Sequence, residues 1–274
     1  MQNTTLAFIG AGNMATSLIL GLIEKGFDAS RIWASNKNEQ ILEDLKSKAS
    51  LNTTTNNLEA ANQADVVILS VKPQIMKAVT EELAKTAQNR KPLILSIAAG
   101  ITIDSLNNWL GGNLSIVRTM PNTPALVQTG ATGLYANTAV SNQQKALAES
   151  IMDAVGIALW VEQESLLDAV TAISGSGPAY FFLVLEAMVS AGKSLGLDEA
   201  TAHKLASQTA LGAAKMAMNG DVSPAELRRR VTSPGGTTEQ ALNVLNDGNL
   251  MDLFKEALTA ARDRSKELAK QLGD

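Results

Sequence analysis

Gly10-Ala11-Gly12-Asn13-Met14-Ala15 stands directly after an apolar run, Leu6-Ala7-Phe8-Ile9, and opens a stretch of helical periodicity. These residue types at this spacing suit a bound phosphate. Gly10 permits a tight turn, Gly12 lets a pyrophosphate approach the backbone, and Ala15 lets helix and strand pack closely. The N-terminus of the following helix adds free N–H groups and the positive end of its dipole. Dinucleotide binding is the chemistry expected, against a merely structural glycine turn. A second apolar run, Arg31-Ile32-Trp33-Ala34, leads into Ser35-Asn36-Lys37. NAD sites ordinarily end that strand with a carboxylate that takes the ribose hydroxyls. Here a hydroxyl, an amide and an ammonium stand instead, which suits a 2′-phosphate. NADP(H) is therefore expected in preference to NAD(H), an ordinary polar loop being the alternative.

Two later segments border the same kind of ligand if they lie where open α/β sheets bind, beyond the carboxyl ends of the strands. Val71-Lys72-Pro73 follows Val66–Leu69, and Ala98-Ala99-Gly100 follows Leu93–Ile97. The small residues of the second leave room for a cofactor, whereas Lys72 reads equally as a surface lysine. Arg118-Thr119-Met120-Pro121-Asn122-Thr123-Pro124 is a rigid polar turn, either punctuation or a pocket wall. Ser174-Gly175-Ser176-Gly177-Pro178 and Thr232-Ser233-Pro234-Gly235-Gly236-Thr237-Thr238 each precede a helical stretch. Open amides at a helix start form an anion site by geometry. Helix caps explain either segment alone. Both are denser in Ser, Thr and Gly than a cap requires, which favours substrate recognition. In the second, backbone N–H groups from Ser233 to Thr237 are expected to take a carboxylate without any arginine. Arg228-Arg229-Arg230, just before it, reads as a solvated face.

The elements that must position these residues alternate in the first half. Strands are expected at Leu6–Ile9, Arg31–Ala34, Val66–Leu69, Leu93–Ile97, Ser115–Arg118, Gly133–Ala136 and Ala158–Val161. Helices are expected at Asn13–Lys25, Glu39–Lys48, Gln74–Ala87 and from Ser141 to near Gly156. Alternation with continuously apolar strands implies a parallel sheet covered on both faces. After Glu162 the strand signal stops. Leu166–Ile173, Pro178–Leu195, Glu199–Met218, Pro224–Val231, Thr238–Leu245 and Leu250–Leu272 all read as helices. The expected organisation is an α/β domain over residues 1–162, with a Rossmann-type, mostly parallel sheet, and an all-helical domain over 163–274. The helical half is rich in Ala, Leu and Met and is the candidate dimer surface.

Composition excludes much else. The 274 residues carry 23 Lys+Arg against 27 Asp+Glu, a net charge of −4, so non-specific nucleic-acid binding is not expected. With no cysteine, thiol catalysis, disulfides and Cys-ligated metals are excluded. His203 is the only histidine, which excludes a poly-His metal site, and it reads as a surface or packing residue. No apolar run reaches the roughly 18–20 residues of a membrane span, and no basic segment leads into an apolar one. A soluble, cytoplasmic protein with no membrane or metal partner is expected.

Together these motifs resemble the pyrroline-5-carboxylate reductase family, which performs the last step of proline biosynthesis. The likeness runs from Phe8-Ile9-Gly10-Ala11-Gly12-Asn13-Met14 through Val71-Lys72-Pro73, Ser96–Gly100, Arg118–Pro124 and Ser174–Tyr180 to Val231–Thr238. It implies a Rossmann domain and a helical dimerisation domain, with the active site at the dimer interface and a decamer built from those dimers as a further assembly it allows. It implies a cofactor lying along Gly10, Gly12, Asn13, Met14, Ser35, Asn36, Lys37, Asn57, Val71, Lys72, Pro73, Ala98, Ala99, Gly100, Asn122 and Ser176. It implies that Ser233, Gly235, Gly236, Thr237 and Thr238 hold the substrate carboxylate and that Thr238 reaches the ring nitrogen as the catalytic residue. Asp221 occupies a spot where relatives carry an acid and joins the substrate set. The implied reaction is NAD(P)H-dependent reduction of the cyclic imine 1-pyrroline-5-carboxylate to L-proline. A β-hydroxyacid dehydrogenase shares the two-domain plan. It needs a general base, often a Lys with an Asn one helical turn on; after Gly177 the first Lys is Lys193, with Leu197 one turn later. A catalytically idle NADP-binding sensor is the other alternative, and the intact Ser233–Thr238 turn argues against it.

Overall fold

The computed structural model describes residues 3–218 and 220–273. Two compact units form: residues up to Ser176 together with those from Ala260 on, and Gly177–Thr259. The expected boundary at 162/163 precedes this division, because residues 163–176 and the end of the last helix group with the sheet.

The first unit is built on eight strands, β1 (Leu6–Ile9), β2 (Ile32–Ser35), β3 (Asn52–Thr54), β4 (Val66–Leu69), β5 (Leu93–Ser96), β6 (Ile116–Met120), β7 (Gly130–Ala136) and β8 (Gly156–Trp160). Their order is β3-β2-β1-β4-β5-β6-β7-β8. Every neighbouring pair is parallel except β6 with β7. Parallel strands need crossovers, supplied by α1 (Asn13–Glu24), α2 (Glu39–Lys46), α3 (Asn57–Gln63), α4 (Pro73–Arg90), α5 (Ile103–Trp109) and α6 (Asn142–Met152), while α7 (Leu166–Val170) follows the last strand.

Alternate side chains of each strand enter opposite cores. Leu6, Phe8, Ile68 and Leu95 pack with Leu18 and Leu22 of α1 and Ile151 of α6. Ala7, Ile9, Val67 and Leu69 pack with Met76 and Leu83 of α4 and Leu106 of α5. Both faces are therefore dry, which is why β1, β4 and β5 read as unbroken apolar runs. Ser141 caps α6 through a full capping box with Gln144.

Three elements have no counterpart in the sequence expectation. β3 is a polar edge strand, Asn-Thr-Thr. α3 and α5 have seven residues each, too few for a helical period to show. Side-chain caps start them: Asn56 accepts from the Leu58 N–H at 3.0 Å, and Thr102 from that of Ser105 at 3.1 Å. The helix expected over Leu166–Ile173 ends as α at Val170 and continues as a π turn, Thr171–Gly175. That continuity produces a helical run, Leu166–Ser194, which by length and composition alone is apolar enough to cross a membrane, although Asp168, Glu186 and Lys193 interrupt its apolar residues. Glycines at 175 and 177 punctuate the sequence there without ending the helix.

The second unit is helical: α8 (Gly177–Ser194), α9 (Glu199–Met218), α10 (Pro224–Arg230), α11 (Thr237–Asp247) and the start of α12 (Leu250–Gly273). Its apolar residues are largely uncovered. Phe181, Phe182 and Leu183 of α8 are 70%, 65% and 66% exposed, and Leu205, Met216 and Met218 of α9 are also exposed. The far end of α12 packs within the first unit, where Leu272 joins the second core and Ser105 Oγ donates to Gly273 O.

Candidate active site

The strand order reverses direction between β1 and β4, and a sheet of this kind binds ligands at that switch point, beyond its carboxyl edge. The loops that leave this edge are the ones the sequence singles out: Gly10 after β1, Ser35-Asn36-Lys37 at the end of β2, Val71-Lys72-Pro73 after β4, Ala98-Ala99-Gly100 after β5 and Asn122 after β6. Asn57 opens α3 directly after β3.

Gly10 has φ +98, and a Cβ there would lie 2.8 Å from Ser70 O and 3.0 Å from Val71 Cγ1. No other residue fits that turn without strain. Its N–H donates to Ser35 O at 2.9 Å, which ties β1 to β2, and Ser70 Oγ lies 2.6 Å from Gly10 O. Gly12 caps α1 with ordinary angles and no side-chain cap, and the first turn carries no acid. A Cβ on Gly12 would meet nothing within 4 Å. The amides at the start of α1 thus face open room, the cradle a pyrophosphate needs. Asn13 is exposed, and Met14 is half-buried against the first core.

At the β2 end the structure separates residues that the sequence groups. Ser35 is fully buried, and its hydroxyl donates to Asn57 Oδ1 at 2.9 Å. The Asn57 amide in turn donates to Glu82 Oε2 at 3.2 Å. Ser35 and Asn57 form an internal polar floor, while Lys37 is exposed and Asn36 half-buried. Lys37 is therefore the cation available at this end. Lys72 is exposed at the N-cap of α4, with Pro73 behind it.

Ala98 is buried and Ala99 exposed; a Cβ on Gly100 would approach Leu272 Cδ1 at 3.3 Å. Asn122 is buried and satisfied on both sides, donating to Ser174 O at 3.0 Å and accepting from the Ala131 N–H at 2.9 Å. It pins the Ser174–Ser176 segment to the β6 end, which brings Ser176 to this edge. Arg118 is buried against Glu164, 2.9 Å away, and Glu164 also accepts from the Ile103 N–H at 2.8 Å. Sequence reasoning missed this clamp, because its partners are 46 residues apart in the chain.

The second unit carries the other candidate segment. Thr232 Oγ1 donates to Arg228 O at 2.6 Å, which closes α10. Gly235 has φ +71 and Gly236 caps α11 without a side-chain cap. Of the N–H groups from Ser233 to Thr237 expected to take a carboxylate, two are engaged within the turn. The Gly236 N–H donates to Ser233 O at 3.0 Å and the Gly235 N–H to Glu239 Oε2 at 2.8 Å. Gly235 and Gly236 therefore shape the turn rather than donate outward. The first amides of α11, Thr237 and Thr238, have no acceptor among the described residues, since a helix leaves them unmatched. The Thr238 side chain is half-buried.

Asp221 is exposed in the α9–α10 connection. His203 borders a groove of about 630 Å³ between α8 and α9, with Phe182, Val189 and the Lys193–Glu199 ion pair. The hydrogen bond from Lys193 holds the Glu199 carboxyl below its ordinary value. Arg229 and Arg230 both bind Glu226 on the exposed face of α10, in keeping with a solvated role. Among the described residues no cluster of His, Cys, Asp and Glu is set to hold a metal ion.

Comparison with known proteins matches residues 164–268 to the model for pyrroline-5-carboxylate reductase dimerisation and residues 5–100 to that for the coenzyme F420-dependent NADP oxidoreductases. The chain is 53% identical to pyrroline-5-carboxylate reductase of Pseudomonas aeruginosa over the full length of both. It is similar to the solved pyrroline-5-carboxylate reductase of Coxiella burnetii, with TM-score 0.95, 49% identity and coverage of 97% of this chain and 99% of that one. It is also similar to Plasmodium falciparum pyrroline carboxylate reductase, solved with NADP bound, with TM-score 0.86, 30% identity and coverage of 98% and 99%.

Proposed function

The chain belongs to the pyrroline-5-carboxylate reductase family and reduces 1-pyrroline-5-carboxylate to L-proline with NAD(P)H, and on that premise we propose that it prefers NADPH and seats its substrate on the Ser233–Thr238 turn. The open cradle at Gly12 supports a cofactor along the carboxyl edge of the sheet. The exposed Lys37 at the end of β2, where a carboxylate would favour NAD, supports the preference. When bound, the cofactor supplies the hydride.

The remaining work falls to the chain's own residues. The substrate is a small anion, and the Thr237 and Thr238 amides at the start of α11 take its carboxylate. The Thr238 hydroxyl then orients the ring nitrogen, accepting from the protonated imine or donating to the product amine. A protonated imine is already electrophilic, so no strong side-chain acid is required. Positioning carries the catalysis. A chain with no cysteine and a single histidine, on α9, is adequate for that chemistry.

The dimerisation domain and the uncovered faces of α8 and α9 support a homodimer whose site is completed by assembly, with a decamer as the further assembly of the proposal. Asp221 stays in the proposed substrate set on resemblance alone. Cytoplasmic residence belongs to the same reading, supported by an acidic chain without cysteine. The experiment is NADPH consumption with 1-pyrroline-5-carboxylate beside keto acids and six-membered imines. Turnover confined to keto acids would overturn the reading in favour of a hydroxyacid dehydrogenase. No turnover with any substrate would favour a sensor.

A further inference from the structure

We infer that Glu239 is a positioning residue for the substrate: its carboxylate holds the Ser233–Gly236 turn in the shape that leaves the Thr237 and Thr238 amides open. The inference rests on the reading of this turn as the substrate carboxylate site.

Glu239 is the third residue of α11, and its Oε2 accepts from the Gly235 N–H at 2.8 Å. A capping box has the acid at this position reach the N–H of the cap residue itself. Here the cap is Gly236, and the acid reaches one residue further out. The Gly236 N–H is already engaged by Ser233 O. Gly235 sits at φ +71, a conformation glycine enters freely and leaves as freely. An external contact has to select it, and the Glu239 bond is the one present. A Cβ on Gly236 would lie 3.0 Å from Ser233 O, so the turn is folded tightly back on itself.

The outcome is a fixed inventory of donors. The amides of Gly235 and Gly236 are occupied, Pro234 has none, and those of Ser233, Thr237, Thr238 and Glu239 have no acceptor among the described residues. A substrate carboxylate at the helix start is then met by the Thr237 and Thr238 amides, beside the Thr238 hydroxyl, with the Gly235 amide withheld from it. With Gly235 released, a further N–H would compete for the same carboxylate and the ring nitrogen would lose its fixed distance to Thr238. Gln retains an acceptor oxygen at the right reach, Ala has none, and Asp is one methylene short.

The test is steady-state kinetics on the full chain, varying 1-pyrroline-5-carboxylate at saturating NADPH and then NADPH at saturating 1-pyrroline-5-carboxylate, with circular dichroism and light scattering to verify fold and assembly. Glu239→Ala is expected to raise KM for the imine about tenfold, the equivalent of one lost hydrogen bond, and to leave KM for NADPH unchanged. Glu239→Gln is expected to restore the parent KM. A parent KM in Glu239→Ala, or a Glu239→Gln as impaired as Glu239→Ala, overturns the inference. Should Glu239→Ala fail to fold, Glu239→Gln and Glu239→Asp read the same bond. A raised KM only in the Asp variant supports the role, and equal values overturn it. Thr238→Ala separates the two readings. Parent kinetics there removes the turn as the substrate site; impaired Thr238→Ala beside parent-like Glu239→Ala removes only the role of Glu239.

Discussion

Replacing Gly10 and Gly12 one at a time by alanine adds the same methyl group at two glycines of one loop, with different expected results. At Gly10 the backbone stands at φ +98, and a side chain held in such a region costs about 1–3 kcal/mol. The new Cβ would also lie 2.8 Å from Ser70 O and 2.9 Å from Ser70 C. These are backbone atoms, and Ser70 N donates to Ile9 O at 2.9 Å, so they cannot retreat without breaking the β1–β4 pairing. Overpacking of this kind adds about 1–3 kcal/mol. The sum, roughly 2–6 kcal/mol, is a large part of a domain's usual margin of about 5–15 kcal/mol. At about 2–4 °C per kcal/mol for a protein of this size, Tm falls by roughly 5–20 °C. Gly12→Ala meets no atom within 4 Å and keeps an allowed φ of −76, so its Tm should change little. Its methyl group projects into the space proposed for the pyrophosphate, and NADPH affinity should fall instead. Thermal melts and fluorescence titration of NADPH on both variants read the contrast. A Gly10→Ala protein with the parent's Tm, or a Gly12→Ala protein with the parent's Kd, would refute the assignment of these glycines.

Other outcomes follow from the same geometry. Lys37→Asp removes the exposed cation at the end of β2 and adds a charge that repels a 2′-phosphate, so the NADPH over NADH ratio of kcat/KM should drop to unity or invert. Equal or better efficiency with NADH in the parent protein would remove that preference from the account. Light scattering at micromolar concentration should give at least two chains of 28.8 kDa per particle. A fully active monomer would end the claim that assembly completes the site.

The carboxyl edge of the sheet was legible because its signals are local. Glycine spacing after an apolar run specifies the β1–α1 turn, and strands buried on both faces show as unbroken Val, Ile and Leu. β3, α3 and α5 were not legible, since a three-residue polar strand and seven-residue helices carry no period and depend on single capping side chains. Ser35 illustrates a different limit. Its position at the end of β2 is readable, but burial under Asn57 decides that its hydroxyl faces inward, and burial is a tertiary property. The Arg118–Glu164 clamp joins segments that meet only through the order of the strands. In the Ser233–Thr238 turn the residue types were informative and the donor inventory was not. Which amides stay open depends on how far the Glu239 side chain reaches. An acid three residues after a helix cap, as in Gly236-Thr237-Thr238-Glu239, is the sequence signal that could have found it, and sequence reasoning missed it.

The claim at the centre of the account is that the Thr238 hydroxyl orients the ring nitrogen. A hydrogen bond to a charged group contributes about 1.5–3 kcal/mol, and each ~1.36 kcal/mol is about tenfold in rate. The direct measurement is kcat/KM for 1-pyrroline-5-carboxylate in Thr238→Ala and Thr238→Ser, with NADPH affinity and Tm recorded alongside. The account predicts a loss of about ten- to hundred-fold in the alanine variant, near-parent activity in the serine variant, and unchanged Tm and NADPH affinity in both. Turnover at the parent rate in Thr238→Ala, or a loss that merely follows unfolding, would make the hydroxyl a structural feature of α11 and contradict the account.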